Sequence, residues 1–261
     1  MVRLVRVVDS GWDSRVFDLG GRWILRVARE DWAANAFASE ARLLRRLAPA
    51  LPVPVPRPIR TGKRWMLLRR LGGSPIDERA GATLGEELGD FLLALHSFPL
   101  DEALALGVHD RRVIDVRRYR RDVLPLLDAD ERAAGERLLA EHARAAFEPA
   151  LAHADLGPAH ILVDGDRITG VLDWTDACAG DPAIDLAWPL YGAPRELAMA
   201  LRSRYGVSED LSRRALVFHA LGPWHEVMYG LGTDPRRVVS GLARVRARLP
   251  GATGDTATMD R

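Results

Sequence analysis

The dominant hydrophobic period of this chain shifts near the glycine pair Gly72-Gly73, and that shift limits the folds open to it. Before the pair, apolar and polar residues alternate. The stretch "RVFDLGGRWILRVA" (15–28) holds two alternating runs joined by Gly20-Gly21, a hairpin signal. Phe17 and Leu19 share one parity, as do Trp23, Leu25 and Val27, which leaves Arg26 on the opposite face with Ile24 and Ala28. One helical stretch follows, "AANAFASEARLLRRLA", in which Phe37, Ala41, Leu44 and Leu47 keep helical spacing. Glu40 stands inside that apolar stripe. A carboxylate aimed at the interior needs a partner, and Arg26 is the one the pattern offers. "LPVPVPRP" (51–58) is too rich in proline for a helix and reads as an extended connector. "KRWMLLRRLGG" (63–73) reads as a further strand.

Beyond the glycine pair, helical spacing takes over. Leu84, Leu88, Phe91, Leu92 and Leu95 form one face of a helix. Residues 111–147 hold at least one more long helix, and "RELAMALRSRYG" and "RRALVFHALGPWHEVMYGLG" give others after residue 190. The tail 251–261 has no apolar face and is expected to be disordered. Strands gathered first and helices gathered later predict an α+β protein. At 261 residues there is room for two modest lobes, residues 1–73 and 74–250, with a hinge at about 69–73.

Composition removes several function classes. No stretch approaches the roughly 18 apolar residues of a membrane helix. The first residues are too short and too interrupted for a signal peptide. The single cysteine, Cys178, excludes an internal disulfide and fits a cytoplasmic protein, where it serves as a small buried residue. Nothing points to nucleic acid, and a monomer is expected. The net charge of +1 hides an asymmetry: residues 1–75 carry 15 Lys/Arg against 6 Asp/Glu, and the remainder 22 against 30. Such a balance suits an anionic ligand met by the first part and a cationic one met by the second, or two solvated surfaces of differing composition.

The chemistry concentrates in "LAHADLGPAHILVD" (151–164), where His153, Asp155 and His160 fall within eight residues. Two short β-rich runs, 161–163 and 168–172, then flank an Asp-Gly turn. His160 precedes the first run and Asp173 closes the second, so an antiparallel hairpin brings both to its open end. Gly157-Pro158 bends the loop carrying Asp155 toward the same place. Two carboxylates and an imidazole so placed suit one small ion or a phosphate group. Two of them would hold a divalent cation while the third takes a proton from a hydroxyl nucleophile, as in phosphoryl transfer.

"HADLGPAH" (153–160) followed by "VLDW" (171–174) is similar to the catalytic loop and metal-binding aspartate of aminoglycoside phosphotransferases and their kinase-like relatives. That family's loop runs H-x-D-x-x-x-x-N, followed after a short hairpin by I-D-W or I-D-F. "GDPAIDLAW" (180–188) resembles its G-D-P-x-x-D-L-A stretch, "SGWDSRVFDLGGRWILRVAR" (10–29) its opening hairpins, and "LGDFLLALHSFP" (88–99) the first helix of its larger lobe. The resemblance implies a bilobal protein-kinase-like fold, with a small antiparallel sheet and one helix in the first lobe and a mostly helical second lobe. It makes Asp155 the catalytic base and His160 and Asp173 the Mg²⁺ ligands. Arg26 becomes the phosphate contact paired with Glu40, with Ser14 at the same ATP or GTP site. Arg69, Arg70 and Leu71 become part of the adenine hinge, and His153 and Asp185 braces of the catalytic loop.

Two positions depart from the pattern. His160 stands where the loop usually has asparagine, an exchange shared with the branches acting on the 2″-hydroxyl of aminoglycosides and with macrolide 2′-phosphotransferases. Arg26 stands where protein kinases have lysine. After Asp173 the chain continues "WTDACAGDPAIDLAW", which leaves no room for an activation loop, and G-x-G-x-x-G and V-A-I-K are both missing. The acceptor implied is therefore a small hydroxyl compound, most simply a cationic aminoglycoside-type antibiotic, whose inactivation confers resistance. Asp176, Asp181, Trp224 and Glu226 are the candidate acceptor contacts, although Trp224 and its neighbours read equally as core. A macrolide or other metabolite kinase, a catalytically silent nucleotide-binding regulator and a two-metal phosphohydrolase are the alternatives. The last would want more histidines nearby, and His96, His109, His142, His219 and His225 show no ligand spacing.

Overall fold

A computed structural model describes residues 5–9 and 14–250; residues 1–4, 10–13 and 251–261, the last expected above to be disordered, lie outside the described residues. The chain forms two compact units, one of residues 1–112 and 148–208 and one of residues 113–147 and 209–261.

The first unit opens with strands β1 (Val5–Asp9), β2 (Ser14–Leu19) and β3 (Trp23–Ala28), then helix α1 (Asp31–Leu47) and strands β4 (Pro58–Thr61) and β5 (Trp65–Arg69). They make a five-stranded antiparallel sheet in the order β1-β2-β3-β5-β4. The β2–β3 hairpin closes with Leu19 opposite Trp23, so its loop is Gly20-Gly21-Arg22. Both glycines take positive φ, near 71° and 72°, which a side chain would resist. The face of β3 that α1 covers carries Ile24, Arg26 and Ala28. Phe37, Ala41, Met66 and Leu68 complete this core. The more apolar parity, Trp23, Leu25 and Val27, is only half buried. The sheet thus turns its charged residue inward, where Glu40, 3 % exposed, meets it.

Strand β6 (Ser74–Pro75), helices α2 (Ala82–His96) and α3 (Leu100–Leu106) and strand β7 (His109–Asp110) follow. Helices α4 (Arg117–Asp122) and α5 (Ala129–Arg144) belong to the second unit. The first unit resumes with β8 (Ala150–Ala152), β9 (Ile161–Asp164), β10 (Arg167–Val171), β11 (Cys178–Gly180), α6 (Ala183–Tyr191) and α7 (Arg195–Tyr205). Two small sheets result, β10-β9-β6 and β7-β11-β8. The first ties the segment after Gly73 to the hairpin: Ser74 pairs with Val163, Pro75 with Leu162, and Thr169 Oγ1 donates to the Gly72 carbonyl at 2.8 Å. Gly73 has φ near 101°, and a Cβ there would collide with the Thr169 hydroxyl, so only glycine fits. Leu84, Leu88, Phe91, Leu92 and Leu95 are all buried, and α2 packs on α7 so closely that Gly85 touches the Leu197 backbone.

In the second unit, α8 (Glu209–Thr233) and α9 (Pro235–Arg248) join α4 and α5 around an apolar cluster of Leu138, Leu139, Leu221, Trp224, Val227 and Val245 with their neighbours. Asp128 starts α5 with a reciprocal cap: it accepts from the Glu131 amide at 2.9 Å, and Glu131 accepts from the Asp128 amide at 3.0 Å. Among the described residues, no helix is long and apolar enough to cross a membrane.

Candidate active site

The β9–β10 hairpin sets the geometry. The Leu172 amide donates to the His160 carbonyl at 2.7 Å, which closes the open end of the hairpin and puts Asp173 beside His160. Asp155 reaches the same place on the loop after β8. One ligand atom from each of Asp155, His160 and Asp173 lies within 4.8 Å of the others. The turn signal, the hairpin and the loop bend are what assemble the group.

Two residues of this loop system hold backbone conformations that L-residues avoid. Ala154 has φ near 66° and Asp173 near 58°. Aspartate tolerates the left-handed region; alanine does so at a cost of roughly 1–2 kcal/mol. Asp185, fully buried at the start of α6, binds the backbone of this turn. Its Oδ2 accepts from the His153 amide at 2.7 Å and its Oδ1 from the Ala154 amide at 2.8 Å. His96 Nε2 meets Oδ2 from the other side at 3.2 Å, and His96 Nδ1 in turn lies 2.7 Å from the Tyr205 hydroxyl. Burial opposes the charge on Asp185, but the hydrogen bond from His96 and the nearby imidazoles outweigh it and hold the carboxyl below its usual range.

His153 is buried beside Trp174, with ring centroids 4.7 Å apart. Its Nε2 donates to the Leu172 carbonyl at 2.8 Å, and its Nδ1 accepts from the Asp155 amide at 3.3 Å. One ring therefore ties the loop to the hairpin. Burial pushes its basicity down, which suits a neutral ring with one donor and one acceptor.

His160 Nδ1 lies 2.7 Å from the Asp155 carbonyl, which can only accept, so Nδ1 carries the proton. That leaves Nε2 turned toward Asp173 Oδ2, 4.0 Å away. Asp173 supplies hard oxygen and His160 a nitrogen; the set fits a divalent cation, with oxygen as the stronger attraction for Mg²⁺. Burial opposes the charge on Asp173, yet Arg26, the two histidines and a hydrogen bond from Thr175 keep its carboxyl below the usual range. Asp155 behaves differently. The protein mass behind its loop withdraws water, and Asp173, Asp176 and Asp185 add negative charge, so the nearby His160 is outweighed and the carboxyl is pushed up to about 6. Its side chain is 54 % exposed and faces the opening.

Arg26 anchors the sheet side of this group. Its Nη1 donates to Glu40 Oε1 at 2.7 Å, its Nε to Ser14 Oγ at 3.4 Å and its Nη2 to Thr175 Oγ1 at 3.0 Å. The guanidinium carbon also stacks 4.9 Å from the Phe37 ring centroid. Arg69 ends β5, and the Arg70 amide donates to the Arg22 carbonyl at 3.1 Å while its side chain pairs with Asp18 at 3.5 Å. Leu71 packs on Gly170, where a Cβ would meet it at 2.6 Å.

The four acceptor candidates are placed otherwise. Asp176 pairs with Arg111 at 2.6 Å. Asp181 is 4 % exposed and accepts from the Ala183 amide at 2.9 Å, at the head of α6. Trp224 is buried in the core of the second unit, its ring edge-on to Tyr119, and Glu226 pairs with Arg244 and accepts from Ser240 at 3.2 Å. Each of the four is thus engaged by a partner of its own, and Asp176 also adds negative charge near Asp155. Beside the loop that carries Asp155, a cavity of about 400 Å³ is instead bordered by Pro158, Asp77, Glu78 and Trp188. Neither this cavity nor the roles of His96, Tyr205 and Thr175 carried a sequence signal, since no spacing links residues so far apart.

The model of the phosphotransferase enzyme family matches residues 4–217. The chain belongs to that family. Viomycin phosphotransferase of Streptomyces vinaceus is 27 % identical over 229 residues, covering 79 % of this chain and 74 % of that protein. The apoenzyme of macrolide 2′-phosphotransferase from Brachybacterium faecium superposes with a TM-score of 0.77 at 29 % identity, over 92 % of this chain and 91 % of that one. The GDP and kanamycin complex of APH(2″)-IIIa does so with a TM-score of 0.85 at 21 % identity, over 95 % and 93 %, and shows the same fold. The family member described here is thus a phosphotransferase with a hydroxyl acceptor, and its fold is mixed α+β and kinase-like.

Proposed function

We propose that this phosphotransferase moves the γ-phosphoryl group of ATP or GTP, with Mg²⁺, onto a hydroxyl of an amine-bearing small molecule of the aminoglycoside or cyclic-peptide antibiotic kind. The observation that carries the reading is the division of labour within one cluster. Asp155 is exposed, while Asp173 lies between Arg26 Nη2 at 3.9 Å and His160 Nε2 at 4.0 Å, and one ligand atom from each of Asp155, His160 and Asp173 lies within 4.8 Å of the others. One carboxylate suits proton acceptance and the other suits a cation.

In this reading, Asp173 and His160 would hold Mg²⁺, which when bound would neutralise charge on the transferring phosphate. Arg26, fixed by Glu40, Ser14 and Phe37, contacts the nucleotide phosphates. The segment Arg69–Leu71, held by the Arg70 amide on the Arg22 carbonyl and by Leu71 on Gly170, forms the hinge against the base. Asp155 accepts the acceptor's hydroxyl proton as that oxygen bonds to phosphorus and the bond to the β–γ bridging oxygen breaks. His153 and Asp185 keep the loop in register. Asp77, Glu78 and Trp188 border the cavity next to Pro158, where carboxylates and an indole suit a cationic acceptor.

The test is nucleoside diphosphate release by the full-length protein, with ATP and GTP separately, against a panel of aminoglycosides, viomycin-type peptides and macrolides. Asp155→Asn should lower turnover about 10²–10⁴-fold, the usual contribution of a general base, with the melting temperature unchanged. Normal turnover in that variant would remove Asp155 as the base. Tight nucleotide binding with no stimulating acceptor would favour a silent regulator instead.

A further inference from the structure

Arg26 raises a problem that a lysine in its place would not. A lysine bonded to Glu40 has a single ammonium group to spend, whereas a guanidinium has two Nη arms in a fixed fork. Its Nη1 goes to Glu40, and Nη2 points to the neighbourhood of Asp173, with Oδ1 only 3.9 Å away. Arginine and carboxylate close readily into charge-assisted pairs. Such closure here would engage Oδ1, beside the Oδ2 that the proposed reading gives to the cation, and spend the carboxylate's charge on the arginine.

Thr175 stands in the gap. Its hydroxyl oxygen accepts from Arg26 Nη2 at 3.0 Å. Its single proton faces two carboxylates, Glu40 Oε2 at 3.4 Å and Asp173. The residue is β-branched and half buried, so its χ1 is restricted and the hydroxyl is held at this spot. One neutral hydroxyl thus meets all three charged groups.

We propose that Thr175 is a positioning residue that occupies the second arm of Arg26, keeps it from closing onto Asp173, and so leaves the Asp173 carboxylate to the cation. The inference rests on the phosphotransfer reading of this cluster. It goes beyond that reading by assigning the arginine-for-lysine exchange its own compensating residue.

Cation binding itself is the test, read by electron paramagnetic resonance of Mn²⁺ added to the full-length protein with a non-hydrolysable nucleotide. Thr175→Ala should weaken Mn²⁺ about tenfold, the scale of one hydrogen bond to a charged group, and Thr175→Ser should stay within about twofold of the parent. In steady state, the Mg²⁺ concentration for half-maximal rate should rise in Thr175→Ala, with kcat at saturating Mg²⁺ largely kept. Placed on Arg26→Lys, which lacks the second arm, the same change should cost much less. Parent-like Mn²⁺ affinity in Thr175→Ala would overturn the inference, as would an equal loss with Arg26→Lys or a serine variant as impaired as alanine. Absence of Mn²⁺ binding by the parent protein would instead bring down the metal assignment, and this inference with it.

Discussion

Around the loop that carries Asp155 the first unit buries Arg26, Glu40, His153, Asp181 and Asp185, each less than a tenth exposed. The second unit fills its centre with leucines, valines and Trp224. Both interiors are well packed, but they follow different logics. An apolar cluster gains stability from area removed from water and tolerates exchange of one hydrocarbon for another. A buried ionic network gains little net stability, because desolvation offsets most of the attraction, yet removal of any one member leaves the rest uncompensated. Where geometry must be held to fractions of an ångström, the second logic serves better. The contrast teaches where each kind of mutation should act. Changes in the polar interior should remove function and stability together, and changes in the helical interior should act on stability alone.

The harshest way to break the polar side is Asp185→Asn. The carboxylate accepts from two amides and from His96, and an amide side chain cannot accept at both ends. A loss of about 3 kcal/mol is expected from a buried charged acceptor that can no longer satisfy its partners. Turnover should fall roughly 10²-fold as the Asp155 loop drifts by about 1 Å. Urea unfolding and kcat measured on the same preparation check both. Full kcat in a destabilised variant would show that the network holds the fold and not the site.

The helical side is sharpened by pH. His142, in the last turn of α5, is 7 % exposed, with its ring edge-on to Phe218 at 4.8 Å. Burial, with a smaller contribution from His225, pushes it down to about 4, against about 6.5 for a free imidazole. The unfolded chain therefore takes up a proton at His142 first as pH falls. Stability should be level above about 6.5, decline as pH falls toward 4, and lose at most about 3 kcal/mol from this group. His142→Phe should flatten that limb by about 1.4 kcal/mol per pH unit, read from denaturant midpoints between pH 7 and 4.5. An unchanged slope would mean that other groups, such as His219, also pushed down to about 4, carry the acid sensitivity.

The two regions also differ in how far the sequence disclosed them. The hairpin signal at 161–172 and the Gly157-Pro158 bend were enough to gather Asp155, His160 and Asp173, because local turn chemistry decides local geometry. The inward face of Arg26 followed from strand parity alone. The acceptor candidates were harder. Asp176, Asp181 and Glu226 look free in a one-dimensional reading, but each meets a partner that only folding supplies: Arg111, the head of α6, and Arg244 with Ser240. Trp224 belongs to a core whose members come from three separate stretches of chain. Asp185 binds backbone amides, which carry no residue identity and so leave no mark in the sequence.

Ala154 offers the smallest effect and the closest look at the coupling between brace and loop. Its φ near 66° costs an alanine roughly 1–2 kcal/mol, and glycine would adopt it freely. Against that gain, glycine adds freedom to the unfolded chain worth about 0.5–1 kcal/mol. Ala154→Gly should therefore stabilise the protein by no more than about 1.5 kcal/mol. The informative comparison places it on Asp185→Asn. If Asp185 is what forces the left-handed turn, the weakened brace lets Ala154 relax, and the benefit of glycine should shrink there. Strict additivity of the two changes would mean that the turn is imposed by the hairpin and the β8 pairing instead, since residues sharing a hydrogen bond ordinarily couple by 0.5 kcal/mol or more, to about 3. A double-mutant cycle by urea unfolding decides between them. Coupling of the expected sign would identify the Asp185–Ala154 bond as the place where the stability of the first unit is exchanged for the position of Asp155.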